Sequence, residues 1–192
     1  MPSSLPPVRC MLSLVCVMVL LGCTAPTVPG GSETGEPGTR DRAADALRLP
    51  PLHPAIDHLD ETLVTLTTTA GEDVEVAAKV AATDAERRRG LMEVEQLPAG
   101  SGMLFLFEAE RDGGFWMWNT LIELDIAFAD SRGVIHTVAT MTPCGSEDPA
   151  DCPSTPPDAP YTSALEVPGG WFDEVGVTPG ATIVWTEPVP AG

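Results

Sequence analysis

For most of the chain, apolar and polar positions alternate with the period of a strand. Leu63 to Thr69 mixes threonine with branched apolar residues, and Val74, Val76, Ala78 and Val80 alternate with mostly polar neighbours. The two runs predict a hairpin across Ala70-Gly71-Glu72-Asp73. Further short runs read as strands over Met103–Phe107, Gly114–Trp118, Leu124–Ala129, Val134–Met141, Thr162–Val167 and Thr182–Thr186, with Asp130-Ser131-Arg132-Gly133 as a tight turn. One helix interrupts the series at residues 84–90: Thr83 followed three positions later by Glu86 is a capping box, and Gly90 is a natural stop. Gly90, Gly102, Gly170 and Gly180 read as turn glycines that permit positive φ. Many short strands with Gly and Pro turns predict a mainly β fold: a single small sandwich, jelly-roll-like or partly open barrel domain with one short helix.

The pattern changes before this domain. Arg9 precedes an apolar run from Met11 to Leu21 that closes in Leu20-Leu21-Gly22-Cys23, the layout of a lipoprotein signal peptide over residues 1–22. Cys23 is the expected lipidation site, anchoring the chain to a membrane through acyl chains. The run is too short for a spanning helix, which needs about 20 apolar residues. Residues 23–58 are rich in Pro and Gly and read as a disordered tether. The folded domain is expected over residues 59–188. Its expected location is extracytoplasmic, at the cell envelope, on the outer membrane if the cell has one.

Charge narrows the choice of partners. The 192 residues carry a formal charge of −18, and loss of residues 1–22 removes Arg9 alone among charged residues, leaving −19. Such a surface repels nucleic acid and anionic headgroups. With Cys10 and Cys16 in the signal peptide and Cys23 lipidated, Cys144 and Cys152 remain, eight positions apart, and read as a disulfide closing a Pro/Asp-rich loop. No residue spacing calls for a metal or a cofactor: His53 and His58 have only Asp57 nearby, and no Gly-rich phosphate loop is present.

Candidate chemistry is sparse. Strand geometry puts Trp116 and Trp118 on one face and Met117 on the other, so the pair is either core or a binding platform. Asn119, Asp125 and Glu166 are polar groups in or beside apolar strands, and two carboxylates can divide acid and base roles if their environments differ. The competing reading is that they accept backbone N–H groups at strand ends. Arg87, Arg88 and Arg89 form a basic cluster whose members diverge on a helix, so one or two at most, Arg89 among them, serve a single site. Ser163 and His136 lack a triad setting.

Several separated words resemble a family catalogued as domain of unknown function 192. They are Glu86-Arg87-Arg88-Arg89-Gly90-Leu91-Met92, Gly102-Met103-Leu104-Phe105-Leu106-Phe107, Phe115-Trp116-Met117-Trp118-Asn119-Thr120, Leu124-Asp125-Ile126-Ala127-Phe128, Met141-Thr142-Pro143-Cys144 and Leu165-Glu166-Val167-Pro168-Gly169-Gly170. The resemblance spans residues 74–186 and closes on Gly176-Val177 before Pro179-Gly180. It implies a mainly β fold with one short helix and implies no reaction. The family's usual word is similar to F-W-M-K-N-T, and Trp118 stands where a Lys is typical.

Together these features lead to the expectation of a lipid-anchored, non-enzymatic module that binds an envelope glycan, another envelope ligand or a protein partner near Trp116, Trp118, Asn119 and Arg89. One alternative is a hydrolase or lyase acting on envelope polysaccharide through Asp125 and Glu166, with Asn119 orienting substrate. The other is a structural envelope lipoprotein.

Overall fold

A computed structural model of the chain describes residues 49–191. The expected signal peptide, Cys23 and the tether as far as Arg48 lie outside the described residues. The fold is mainly β. In chain order it runs β1 (Glu61–Thr67), β2 (Asp73–Ala81), α1 (Asp84–Arg89), β3 (Ser101–Arg111), β4 (Phe115–Trp116), β5 (Leu124–Ala129), β6 (Ile135–Met141), β7 (Ser154–Thr155), β8 (Tyr161–Pro168), α2 (Trp171–Val175) and β9 (Thr182–Trp185).

Seven strands form one sheet in the order β6-β5-β8-β3-β2-β1-β9, and β4 and β7 form a separate two-stranded ribbon. The predicted hairpin is present: β1 and β2 pair antiparallel with Val64 opposite Val76 and Thr67 opposite Asp73. Parallel pairing occurs between β2 and β3, because the chain crosses over through α1 before returning. The sheet is not closed into a barrel, yet its two edges touch at one corner. There Ile135 N donates to Ala181 O (2.9 Å), Gly180 N to Ile135 O (2.9 Å) and Ile183 N to Gly133 O (2.8 Å). Gly133 has φ +76°, and a Cβ on it would lie 2.4 Å from Ile183 O, so the corner requires glycine.

Both faces of the sheet are covered, which explains why β5 is buried along its whole length. Val64, Leu66, Val76, Leu104, Ala127, Leu165 and Val167 face one core, capped by Trp171 and Phe172 of α2. Met103, Phe105, Leu124, Ile126, Phe128 and Ala164 face the other, beneath the crossover and the ribbon. The period of two along each strand sorts these side chains, and apolar burial on both sides supplies the main driving force.

Four expectations need correction. The domain begins before residue 59: Ile56 is fully buried and Leu59 nearly so. Lys79 Nζ binds Asp57 O (2.8 Å), which holds this segment down. A Pro-rich stretch shows no period, but two apolar side chains and a buried cation suffice to dock it. A second helix, α2, joins the expected one; at five residues it is too short to show a helical period. The strand expected over Gly114–Trp118 is cut to Phe115–Trp116, because Thr120 N turns back onto Met117 O and Asn119 adopts φ 57°. Finally, Gly102 is no turn glycine. It lies within β3, where a Cβ would sit 2.3 Å from Glu166 O, so its role is close strand approach.

Candidate functional site

The site is assembled on the face covered by the crossover. Asp84 and Glu86 at the start of α1 and the reciprocal Thr83–Glu86 cap fix the helix, so that Arg87, Arg88 and Arg89 project from its last turn. Arg87 is immobilised. Its Nη1 donates to Leu106 O (2.6 Å) and to Ala82 O, its Nη2 pairs with Asp84, and its guanidinium lies 4.8 Å from the Phe107 ring centre. Hydrogen bonding from Arg87 holds the Asp84 carboxyl below its usual range. Arg111, at the far end of β3, lies 5.7 Å from the same ring.

Opposite α1 stands the ribbon. Phe115 points inward and meets Phe105 (4.9 Å) and Phe128 (5.5 Å) edge to face, contacts worth about 0.5–1.5 kcal/mol each beyond area burial. Trp116 points outward and is 43% exposed, while Met117 is buried at 4%. Trp118 is half-buried on the Trp116 side, ring centres 6.0 Å apart and tilted by 38°. The pair therefore lies at the surface and not in the core. β7 pairs with β4, setting Trp116 opposite Ser154. Cys144 and Cys152, the latter just before β7, lie at disulfide distance (Sγ–Sγ 2.08 Å, Cα–Cα 5.7 Å), and Cys144 forms a β-bridge with Trp118.

Between helix and ribbon opens a cleft of about 450 Å³ bounded by Arg87, Arg88, Phe107, Arg111, Trp116 and Tyr161, with the carboxylates of Asp84 and Asp112 also in its lining. Tyr161 is oriented by donation from its hydroxyl to Gly113 O (2.8 Å). Four of the six basic residues between 49 and 191 (Arg87, Arg88, Arg89 and Arg111, with Lys79 and Arg132 elsewhere) gather around this region. Arg88 and Arg111 form no ion pair among the described residues. Behind the cleft, and sharing Arg87, Arg88, Phe115 and Trp116 in its walls, is a chamber of about 30 Å³ that also meets Arg89, Thr120 and Glu166.

Glu166 is 4% exposed. Burial, with no compensating partner among the described residues, pushes its carboxyl up to about 8. Arg89 Nε is likewise buried without a hydrogen bond. The rest of that guanidinium is engaged: Nη1 donates to Glu93 Oε2 (2.9 Å) and Nη2 meets His53 Nδ1 (3.1 Å). Asn119 donates to the other Glu93 oxygen (3.2 Å). Hydrogen bonds from Arg89 and Asn119 lower the Glu93 carboxyl below its usual range. Among the described residues no three His, Cys, Asp or Glu side chains cluster as a metal site.

The acid–base pairing of Asp125 with Glu166 is not formed. Ile126 pairs with Glu166 and Asp125 with Val167 across β5 and β8, so the two carboxyls project from opposite faces of the sheet. Asp125 faces α2, where it accepts from Thr140 Oγ1 (2.7 Å) and Phe172 N (3.0 Å), and its role is to seat that helix. Asn119 and Arg89 are brought together through Glu93, beside the chamber. Arg111 and Tyr161 escaped sequence reading, since they join the cleft only through the β3–β8 pairing, in which they are opposite one another.

Fold and cleft together define a small β domain with an arginine- and tryptophan-lined surface site. The chain belongs to the DUF192 family, described as an uncharacterized ACR, whose model matches residues 65–185. Among solved structures it is similar to a protein of unknown function from Novosphingobium aromaticivorans, at 32% identity and TM-score 0.63, covering 81% of this chain and all of the other. It is also similar to a candidate transcription regulator from Sinorhizobium meliloti, at 30% identity and TM-score 0.59, covering 67% of this chain and 95% of that one. No curated protein matches the chain.

Proposed function

We propose that this chain is a lipid-anchored, extracytoplasmic binding module whose β domain takes a small envelope ligand in the Trp116 cleft. The observation that carries the reading is the exposed Trp116 ring at the mouth of an arginine-lined cleft in an otherwise acidic chain. Exposed aromatic surface beside convergent polar groups is the usual mark of a ligand site. Export is supported by the lipobox ending in Cys23 and by the Cys144–Cys152 pair, which suits an oxidising compartment.

The binding test is a thermal-shift screen of the chain from Thr24 onward against sugars, muropeptides, lipid headgroups and nucleotides, repeated on Trp116→Ala. A ligand specific to the folded state raises stability by about 2.7 kcal/mol at one hundred times Kd. The expected result is a shift that Trp116→Ala abolishes; a shift that survives the substitution would move the site elsewhere. Anchoring is tested by fractionation and intact mass, where Cys23→Ala should lose both membrane association and the acyl mass.

Neither competing activity draws support. The polysaccharide-cleaving alternative needs Asp125 and Glu166 on one face. Regulation of transcription, suggested by the Sinorhizobium relative, would require DNA phosphates to approach a chain of charge −18.

A further inference from the structure

The chamber behind the cleft has unusual chemistry. It is lined by Arg89, whose Nε is a buried donor without an acceptor, and by Glu166, a buried carboxyl with no hydrogen-bonding partner among the described residues. A buried donor and a buried carboxyl left unpaired each cost stability. A small group that enters the chamber can accept from the guanidinium or hydrogen-bond the carboxyl. A hydroxyl does this, having one proton and two lone pairs. At about 30 Å³, the chamber has room for a group as small as a water or a hydroxyl.

The outer cleft asks for something different. Arg87 is consumed by backbone carbonyls and Asp84, whereas Arg88 and Arg111 are exposed and without carboxylate partners among the described residues. Guanidinium groups in that state favour a carboxylate, which they bind with charge-assisted hydrogen bonds. Three guanidiniums against the carboxylates of Asp84 and Asp112 leave the cleft lining positive in an otherwise acidic chain, so this is where an anion can settle. Between the two stands the flat, exposed Trp116 ring, a surface for a ring of similar size.

Resting on the reading of the cleft as the binding site, we infer that its ligand is a polyhydroxylated acid of the sugar-acid class. Its carboxylate meets Arg88 and Arg111, its ring lies on Trp116, and one hydroxyl enters the chamber that Arg89 and Glu166 line.

The probes are D-glucuronate, D-galacturonate and N-acetylmuramate, with D-glucose as the neutral ring and cyclohexanecarboxylate as the acid without hydroxyls. They are titrated calorimetrically into the chain from Thr24 onward. At least one sugar acid should bind about tenfold more tightly than either control, the loss expected when a charged hydrogen bond or a buried one is removed. Arg88→Ala and Arg111→Ala, both on exposed side chains, should each weaken that acid about tenfold and leave glucose unchanged. Glu166→Leu, which removes every hydrogen-bonding atom, should weaken the sugar acid while cyclohexanecarboxylate is unaffected.

Equal binding of cyclohexanecarboxylate and the sugar acids would overturn the hydroxyl assignment, and equal binding of glucose would overturn the carboxylate assignment. If all three acids fail to bind, the inference falls. The broader reading of the cleft is then judged separately, by whether any other ligand from the screen is lost in Trp116→Ala.

Discussion

Glu93 and Asn119 hold each other in left-handed backbone: Asn119 O accepts from Glu93 N (2.9 Å), and Asn119 Nδ2 donates to Glu93 Oε1 (3.2 Å). They are the two non-glycine residues with positive φ among the described residues, at 62° and 57°. Each tolerates a conformation that costs an ordinary L-residue about 1–2 kcal/mol. The doubled contact joins the turn after α1 to the turn after the ribbon, the two walls of the cleft. Asn119→Ala should therefore lower stability by about 1–2 kcal/mol in urea unfolding. Asn119→Gly, which relieves the backbone and loses only the side-chain bond, should cost less. Equal losses would show that backbone conformation is not the strained element.

Glu166 gives the domain a distinct pH dependence. Its carboxyl titrates near 8 when folded and near 4.5 ordinarily, so between those values the folded chain keeps a proton that the unfolded chain has lost. Stability from this group thus falls as pH rises through that window and is level above it. At about 1.4 kcal/mol per unit, the total is on the order of a few kcal/mol. Glu166→Gln should flatten the slope and be the more stable protein at alkaline pH. A wild-type curve that rises across the same window would contradict the buried, uncompensated carboxyl.

Much of this architecture is legible in the sequence, and where it is not the reason is physical. The hairpin, the capped helix and the side-by-side arrangement of Trp116 and Trp118 follow from local period and capping, which depend on neighbours in the chain. The opposite faces of Asp125 and Glu166 do not, because they depend on the register of β5 against β8. Burial of Lys79 was equally hidden. Its flanking residues, Ala77-Ala78 and Val80-Ala81, hint at an apolar setting, but its partner Glu61 lies at the start of another strand.

That Lys79–Glu61 pair is itself testable. The two charges are 2.8 Å apart with side chains 3% and 8% exposed, and the ammonium also binds Asp57 O. Removing one partner leaves the other buried and uncompensated, so Lys79→Ala should cost about 3–5 kcal/mol. Replacing both, as Lys79→Met with Glu61→Leu, should recover most of that loss. Chemical denaturation of the singles and the double separates the pair from its burial.

Gly133 tests the contact between sheet edges. With its φ of +76° and Ile183 O only 2.4 Å from where a Cβ would sit, Gly133→Ala must displace β9. A loss exceeding about 2 kcal/mol is expected, more than a typical surface substitution. Hydrogen exchange should rise first at Ile135 and Ile183, whose amides make the contact.

The Cys144–Cys152 pair closes a loop eight residues long in sequence separation, worth about 2–3 kcal/mol in the chain-entropy account. Because that loop leads into β7, which pairs only with β4, replacing both cysteines by Ser should loosen the Trp116 wall more than the seven-stranded sheet. Tryptophan fluorescence and ligand affinity should change with the circular dichroism of the sheet intact.

The docking of residues 49–60 sets how the domain bears load. Tension arriving through Leu49 meets the hold of Asp57 on the Leu52 and His53 amides, then the His53–Arg89 contact, then the grip of Lys79 on the Asp57 carbonyl. Beyond these it reaches β1, which is hydrogen-bonded along both sides, to β2 and to β9. Force along that strand strains its ladders in shear, many bonds together, instead of peeling them one by one.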